Sequence, residues 1–249
     1  MTIPNKSRLD DLLVARGLAN NRSQAKTSIM AGTVFQGETR LNKPGQKVRS
    51  DINLTVRGKP HPWASRGGIK LAHGLDHFGI ETGGTVCIDI GASTGGFTDV
   101  LLTRGAIKVY AVDSGHGQLD WRLRTDARVE VRERVNARYL DREQVPERVD
   151  LITCDASFIS LTKVLPPSLQ RAQQGAKLIA LIKPQFEAER RQVGKGGVVR
   201  DPEIHTQVCE RIQAWLKAQP GWNVLGIVES PITGPHGNIE FLMAAEFSE

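Results

Sequence analysis

The chain has 249 residues, of which 39% are hydrophobic and 24% are charged, and its formal net charge is +6 at pH 7. This length allows one large domain or two smaller ones, and the composition excludes wholesale disorder, collagen-like repetition and a coiled coil. The longest apolar run is far shorter than a membrane span. The three cysteines have no metal-ligand spacing and the first residues lack the apolar stretch of a secretory signal, which predicts a cytoplasmic protein without a metal site or a membrane partner.

The basic charge is concentrated at the front of the chain. Residues 1–70 contain 13 lysines and arginines against 4 aspartates and glutamates, which gives +9, whereas the remaining residues give −3. Such a stretch is often only a solvated surface, but it is also the electrostatic footprint of a protein that binds nucleic acid.

The basic segment predicts two helices and a small sheet. Leu9, Leu12 and Leu13 share one helical face, and Gly17 is a typical helix stop. A second helix is predicted over residues 23–30, with short strands at 33–35, 46–48 and 52–56. The stretch that follows is rich in Pro, Gly and charge, which predicts domains at residues 1–59 and 68–249 with a linker at residues 60–67.

Several short motifs of this segment resemble the alpha-L RNA-binding module, which occurs in a small-subunit ribosomal protein and in many pseudouridine synthases. They are Arg8-Leu-Asp, Gly17-Leu, Asn21-Arg-Ser-Gln-Ala, Gly32-Thr-Val and Asn42-Lys. The resemblance implies a small α+β domain whose side chains contact RNA phosphates. The contacts are expected from Arg8, Arg22, Ser23, Gln24, Lys26 and Lys43, and from Arg66 in the linker.

The rest of the chain alternates between strand and helix patterns. A helix is predicted over residues 68–78, strands at 86–90, 108–113, 128–131, 150–154, 177–182 and 223–227, and further helices over 97–104 and 206–219. This alternation predicts a parallel sheet in a doubly wound, Rossmann-like α/β domain. Ligands of such domains bind at the carboxyl ends of the strands.

A glycine-rich turn and an acidic residue mark a nucleoside site at those strand ends. The turn Asp89-Ile-Gly91-Ala-Ser-Thr-Gly95-Gly96 lets backbone amides approach a ligand, and Asp113 ends the next strand, where its carboxylate can accept from ribose hydroxyls. We therefore predict that the cofactor contacts Asp89, Gly91, Ala92, Ser93, Gly95, Gly96, Asp113 and Asn136.

The spacing of the glycines restricts the class of cofactor. The turn lacks the Gly-x-Gly-x-x-Gly spacing of dinucleotide sites and the Gly-Lys-Ser/Thr of a P-loop. Its Asp-x-Gly-x-x-x-Gly-Gly pattern resembles motif I of S-adenosylmethionine-dependent methyltransferases. Gly91-x-Ser93-x-Gly95 also fits the nucleophile elbow of hydrolases, but the acid pattern favours nucleoside binding.

Four charged residues are predicted at the same edge of the sheet. Asp155 and Lys183 interrupt apolar strands at their carboxyl ends, where burial is costly without a purpose. Together with Lys70 and Glu240 they resemble the Lys-Asp-Lys-Glu tetrad of FtsJ-type ribose 2′-O-methyltransferases. Surface ion pairs remain the ordinary alternative for such residues. Lys183 is the residue we expect to act as general base.

The flanking segments are similar to the TlyA family of hemolysin-like rRNA 2′-O-methyltransferases over nearly the whole chain. They include Ser65-Arg-Gly-Gly-Ile-Lys-Leu, Gly115-His-Gly-Gln-Leu-Asp-Trp-Arg, Lys183-Pro-Gln-Phe-Glu, Gly194-Lys-Gly-Gly-Val-Val-Arg-Asp-Pro and Ser230-Pro-Ile-Thr-Gly-Pro-His-Gly-Asn-Ile-Glu. The family usually has Tyr at the position of His116. The resemblance implies S-adenosylmethionine as cofactor, rRNA or ribosomal subunits as partner, and cytidine as the methylated nucleoside. The sequence leaves open whether the protein is a monomer or a homodimer.

Two alternatives from other classes remain open at this point. A non-catalytic RNA-binding or ribosome assembly factor could have kept the same fold. A membrane-active hemolysin is the second alternative, although the sequence shows neither a spanning helix nor the strand pattern of a pore.

Overall fold

The computed structural model describes residues 6–19, 21–57 and 61–248. The chain divides into two compact units, residues 1–62 and residues 63–249. The division falls inside the linker predicted for residues 60–67. Each unit has a core of buried aliphatic side chains, one cluster in the first unit and two in the second.

The first unit consists of two helices and short antiparallel strands. Its elements are β1 (Lys6–Arg8), α1 (Leu9–Ala15), α2 (Arg22–Met30), β2 (Val34–Gln36), β3 (Thr39–Arg40), β4 (Lys47–Arg49) and β5 (Leu54–Val56). β1 pairs with β4, and β2 pairs with β3 and β5. Leu9, Leu13 and Ile29 are completely buried, as their helical spacing predicts. Asn21 caps α2, since its side chain accepts a hydrogen bond from the backbone N–H of Gln24 at 2.9 Å.

The second unit is an α/β domain around a seven-stranded sheet. Its elements are α3 (Gly67–Phe78), β6 (Val86–Ile90), α4 (Gly96–Thr103), β7 (Lys108–Asp113), α5 (Trp121–Arg124), β8 (Val129–Glu133), β9 (Val149–Cys154), α6 (Leu161–Val164), α7 (Pro166–Leu169), β10 (Ala172–Ile182), α8 (Pro184–Glu187), α9 (Pro202–Lys217), β11 (Trp222–Glu229) and β12 (Phe241–Phe247). The strand order is β11-β12-β10-β9-β6-β7-β8. The predicted doubly wound, Rossmann-like fold is confirmed.

The alternation of side chains along the strands separates two cores, one on each face of the sheet. Ile88 and Ile90 of β6 belong to the cluster beneath α9, whereas Cys87 of the same strand belongs to the cluster beneath α3 and α4. This arrangement follows from the two-residue period of a strand that is buried on both faces.

The structure adds short elements that were not predicted, among them α5 to α8, and two further differences have a clear physical cause. β12 runs antiparallel to both β10 and β11, so the sheet is not wholly parallel. The reason is that residues 230–240 contain no crossover helix, and a parallel connection needs one. In addition, α9 begins at Pro202 and not at residue 206, because Asp201 accepts a hydrogen bond from Glu203 N–H as its N-cap and Pro202 occupies the first turn.

Candidate functional site

The carboxyl ends of β6 and β9 lie side by side where the strand order reverses. Within the sheet, β7 lies next to β6 on one side, and β9, which the chain reaches later, lies next to β6 on the other side. Two cavities open at this point and share Gly91 and Asp155 in their walls. The first, of about 350 Å³, reaches Lys70 and Lys183, and the second, of about 460 Å³, reaches Asp113. This is the position at which open α/β sheets bind ligands.

The four residues predicted as catalytic form two ion pairs at this edge. Lys70 on α3 donates to Glu240 Oε2 at 2.5 Å, and Lys183 Nζ lies 2.6 Å from Asp155 Oδ1. Lys70 and Lys183 are each only 6% exposed, and Glu240 is completely buried. Because an unpaired charge is costly in such surroundings, each lysine depends on its carboxylate. The structure therefore brings all four residues together.

Lys183 is held by one ion pair and two hydrogen bonds. Its Nζ is paired with Asp155 Oδ1, and it donates to the backbone carbonyl oxygen of Asp155 at 3.1 Å and to Ser157 Oγ at 2.9 Å. These contacts hold the amine in the wall of the first cavity.

The other carboxylate oxygen of Glu240 also accepts a hydrogen bond. Gln185 Nε2 donates to Glu240 Oε1 at 3.2 Å. A Cβ at Gly234 would overlap that same oxygen, so a side chain at this position would displace the carboxylate. Glu240 thus links Lys70 to the segment that follows Lys183.

The glycine-rich turn keeps bulky side chains out of the cavity walls. Gly91 has a φ of 79°, and a Cβ there would lie 3.0 Å from backbone atoms of Asp155 and Ala156. A Cβ at Gly96 would overlap Ser65 Oγ. Ala92 and Ser93 complete the wall of the first cavity. This narrow cradle, beside an acidic residue, fits the adenosine and methionine parts of S-adenosylmethionine, which carries no phosphate.

Asp113 and Asn136 lie in the second cavity, and both also support the backbone around it. Asp113 accepts hydrogen bonds from the backbone N–H groups of Ser93 at 2.8 Å and Gly115 at 2.6 Å, one on each oxygen. Each carboxylate oxygen has a further lone pair, so ribose hydroxyls can still donate to it. Asn136 Oδ1 accepts from the backbone N–H of Arg138 at 3.1 Å.

Two residues predicted to bind the cofactor do not reach either cavity. Asp89 is completely buried, and its carboxylate accepts from Thr98 Oγ1 at 2.6 Å and Thr153 Oγ1 at 3.2 Å. Burial raises the pKa of Asp89 to about 7, although those two hydrogen bonds oppose the rise. Gly95 precedes α4 with a φ of 94°, and a Cβ there would overlap the side chain of Leu123. In the structure both residues support the turn, and their direct contact with the cofactor stays a prediction.

Sequence reasoning missed three residues of this site. Ser157 and Gln185 each lie two positions after a predicted catalytic residue, and Ser65 lies close to the start of α3. The adjacency to Asp155 and Lys183 was a usable signal. Side-chain direction in a loop, however, cannot be read from sequence spacing.

A third cavity, of about 330 Å³, lies on the other side of Lys183 and Glu240. Phe158 and Phe186 form part of its wall, with ring centroids 4.9 Å apart. Phe158 is 89% exposed and has a φ of 63°. An exposed aromatic ring on a strained backbone, beside paired lysines and carboxylates, is typical of a functional site.

The residues predicted to bind RNA in the first unit lie on its surface. Ser23, Gln24 and Lys26 are exposed along α2, and Lys43 is exposed in the loop before β4. Arg8 and Arg22 are about half exposed, and both donate to the buried carboxylate of Asp10, at 2.9 Å and 3.2 Å. The hydrogen bond from Arg8 and the charge of Arg22 hold the pKa of Asp10 well below its ordinary value, against the effect of burial.

Arg66 belongs to the second unit, where it is exposed and lines the first cavity. Its guanidinium donates to the carbonyl oxygen of Thr233. Over residues 6–19, 21–57 and 61–248 there is no helix with the length and apolar character of a membrane span. The same residues contain no cluster of three or more His, Cys, Asp or Glu side chains arranged for a metal ion.

Comparison with known proteins identifies both units. Residues 63–247 match the FtsJ-like methyltransferase family, and residues 7–51 match the S4 domain. The 16S/23S rRNA (cytidine-2′-O)-methyltransferase TlyA of Mycobacterium tuberculosis is 46% identical over 96% of this chain and 89% of its own length. Hemolysin A of Brachyspira hyodysenteriae is 39% identical over 94% and 98% of the two chains.

A solved structure of a candidate hemolysin from Streptococcus thermophilus has the same architecture. It superposes with a TM-score of 0.76 at 42% identity, and the match covers 100% of this chain and 90% of that chain. The cofactor of such methyltransferases is S-adenosylmethionine, as the glycine turn indicates. The chain belongs to the FtsJ-like methyltransferase family and, within it, to the group that includes TlyA and carries an S4 domain ahead of the catalytic domain.

Proposed function

We propose that this protein transfers a methyl group from S-adenosylmethionine to the 2′-hydroxyl of a cytidine ribose in ribosomal RNA. The observation that carries the proposal is the pairing of Lys70 with Glu240 and of Lys183 with Asp155 beside the glycine-lined cavities. The M. tuberculosis relative, a 16S/23S rRNA (cytidine-2′-O)-methyltransferase, supports rRNA as the substrate and cytidine as the nucleoside.

The cofactor supplies an activated methyl group on a positively charged sulfur. The chain would hold its methionine part against the backbone of residues 91–96 and its ribose against Asp113, in the two cavities that share Gly91. Asn136 lies where an adenine would complete the second cavity. The glycines of the turn allow backbone N–H groups to approach the cofactor.

We assign to Lys183 the role of accepting the proton of the ribose 2′-hydroxyl. Its Nζ lies in walls of both the first and the third cavity, between the cofactor side and the side left for a nucleotide. An ammonium group has no lone pair, so Nζ can take the hydroxyl proton only after it has lost a proton of its own. Asp155 Oδ1, at 2.6 Å, is the nearest acceptor for that proton. Lys70 and Glu240 then hold the hydroxyl in line, and such alignment is a large part of the catalysis available to this site.

The third cavity would receive the target nucleotide. A base removed from its stack can pack on the exposed ring of Phe158, because enzymes that modify nucleotides within structured RNA commonly extrude them. The S4 unit would bind rRNA phosphates through Arg8, Arg22, Ser23, Gln24, Lys26 and Lys43. Such contacts provide affinity and orientation, whereas the cavity selects the nucleotide.

Ribosomal RNA as the substrate implies that the protein acts in the cytoplasm, on free rRNA or on ribosomal subunits. A single copy contains the whole tetrad, so we expect a monomer to be sufficient for catalysis. This expectation is compatible with either a monomer or a homodimer in solution.

The test uses purified protein, S-adenosylmethionine with a tritiated methyl group, and ribosomal subunits that lack ribose methylation. We expect tritium in rRNA and, after digestion to nucleosides, in 2′-O-methylcytidine. Binding to subunits without incorporation would support the assembly-factor alternative and contradict the proposal. Lysis of liposomes in a parallel assay, again without incorporation, would support the hemolysin alternative.

A further inference from the structure

The side-chain amide of Gln185 has a fixed orientation. Its Nε2 donates to Glu240 Oε1 at 3.2 Å, and Glu240 is in turn paired with Lys70. A carboxylate accepts hydrogen bonds and does not donate them. The amide therefore cannot turn over, because its carbonyl oxygen would then face the carboxylate.

This constraint leaves the carbonyl oxygen of Gln185 without a donor. Gln185 Oε1 is buried and has no hydrogen-bond partner among the described residues. Buried acceptors are nearly always paired, so each exception needs an explanation. Bulk water does not reach this oxygen as the structure stands, so a ligand that donates to it has to displace the side chains that cover it.

Gln185 lines the third cavity, together with the two aromatic rings of Phe158 and Phe186. Two other polar residues of this wall are already engaged. Ser157 Oγ accepts from Lys183, and Asn238 accepts from the backbone N–H of Val199 and donates to the carbonyl oxygen of Gly197. Gln185 thus carries an acceptor of fixed orientation beside a cavity of about 330 Å³ that is also lined by an exposed ring.

We propose that Gln185 Oε1 accepts a hydrogen bond from the exocyclic amino group of the target base and thereby selects cytidine over uridine. The inference rests on the proposed function. Cytosine presents an N–H₂ donor where uracil presents a carbonyl oxygen. An oxygen of uracil would face the fixed oxygen of Gln185, and both acceptors would remain unpaired. Sites built to bond a substrate N–H discriminate strongly against analogues that lack it.

Glu240 has two roles in this arrangement. Its Oε2 accepts a hydrogen bond from Lys70, and its Oε1 orients the amide that contacts the base. Gln185 is therefore a specificity-determining residue. Replacing it should change methyl transfer by an amount that depends on the target base, whereas a change that acts only through Glu240 would affect cytidine and uridine substrates equally.

The test compares two rRNA transcripts that differ only at the methylated position, with cytidine in one and uridine in the other. For wild-type protein we expect the kcat/KM ratio of the two transcripts to favour cytidine by at least about tenfold. Gln185→Met keeps the length of the side chain but removes both amide groups. We expect this variant to lose activity on the cytidine transcript and to bring the ratio within about threefold of one.

Gln213→Met is the matched control, since Gln213 lies on α9 away from these three cavities. The kcat/KM ratio of the cytidine and uridine transcripts for this variant should equal that of wild type. Any loss that Gln185→Met causes through Glu240 affects both transcripts and cancels in the ratio. An unchanged ratio in Gln185→Met, with methyl transfer intact or reduced, would overturn the inference alone. No transfer by wild-type protein to either transcript would instead contradict the proposed function.

Discussion

At the residue scale, the chemistry depends on how four charged side chains are divided into pairs. The sequence indicated Asp155 and Lys183, because charges at the ends of apolar strands are unusual, and the resemblance to the FtsJ-type tetrad added Lys70 and Glu240. It could not show that Lys70 pairs with Glu240, which lies 170 positions away, or that Lys183 is also bound by the carbonyl oxygen of Asp155. Those contacts depend on backbone positions that only the folded sheet defines.

The first prediction concerns Lys183. We expect Lys183→Ala to lower kcat by at least about 100-fold, because the group that handles the hydroxyl proton is removed. The Kd for S-adenosylmethionine should stay within about threefold, since the glycine turn and Asp113 are unaffected. Methyl-transfer kinetics and calorimetric titration measure the two quantities. Lys177→Ala is the control, because Lys177 lies on β10, the strand that leads to Lys183, and pairs with Glu246. Unchanged turnover in Lys183→Ala would refute its assignment.

The second prediction concerns Asp89. Its folded-state pKa of about 7 lies above the ordinary 3.8, so the folded protein binds this proton more tightly than the unfolded chain. The resulting stabilisation is complete below about pH 4 and is lost as the pH rises through about 7. Wild-type protein should therefore lose more unfolding free energy than Asp89→Asn between about pH 5 and pH 8. Urea unfolding of both proteins at the two pH values measures this difference, and parallel pH dependences would contradict the role of burial.

At the scale of elements, the site is produced by the junction of β6, its turn and α4. The sequence predicted this junction well, because a glycine turn between an apolar strand and a helix is a local pattern. The end of β9 was also predictable, since parallel strands place their carboxyl ends at one edge. The antiparallel direction of β12 was not predicted, because it depends on the 230–240 connection and not on the strand itself. The contact between the aromatic rings of Phe158 and Phe186 was missed for a similar reason, since it joins the loop after β9 to α8.

The third prediction concerns Gly91. A methyl group in Gly91→Ala would contact the backbone of Asp155 at 3.0 Å, at a φ that side chains rarely adopt. We expect a decrease of about 1–3 kcal/mol in unfolding free energy and at least about tenfold weaker S-adenosylmethionine binding. Gly83→Ala is the matched control, because its Cβ would meet no atom within 4 Å. Thermal unfolding and calorimetric titration give both quantities. Cofactor binding as tight as wild type would show that the cradle does not need a glycine here.

At the scale of the whole molecule, charge and chemistry are separated along the chain. Residues 1–70 carry +9 and include the S4 match at residues 7–51, whereas the remaining residues carry −3 and contain every member of the tetrad except Lys70. Within the S4 unit, Arg8 and Arg22 both bond to the carboxylate of Asp10. These two arginines are therefore less available to RNA phosphates than unpaired basic side chains. Lys26 and Lys43 are exposed and are the better candidates for phosphate contacts.

The fourth prediction follows from this distribution. Replacing Lys26 or Lys43 with Ala should weaken binding of rRNA to a similar extent for different sequences. Each substitution should also lower the slope of log K against log salt by about one, because one fewer phosphate is neutralised. Fluorescence anisotropy at several salt concentrations measures the slope. Lys217→Ala, a change to an exposed lysine at the end of α9, should leave the slope unaltered. Equal slopes in all variants would exclude these two lysines from the RNA interface.

The central claim is that this chain methylates a cytidine ribose in rRNA with Lys183 at the reaction centre. It is tested most directly by mapping 2′-O-methylation across all rRNA from three strains: one with the protein, one without it, and one that contains only the Lys183→Ala variant. We expect at least one 2′-O-methylcytidine that is present in the first strain and absent from the other two. Identical maps in the three strains, or a site that the Lys183→Ala variant still methylates, would contradict it.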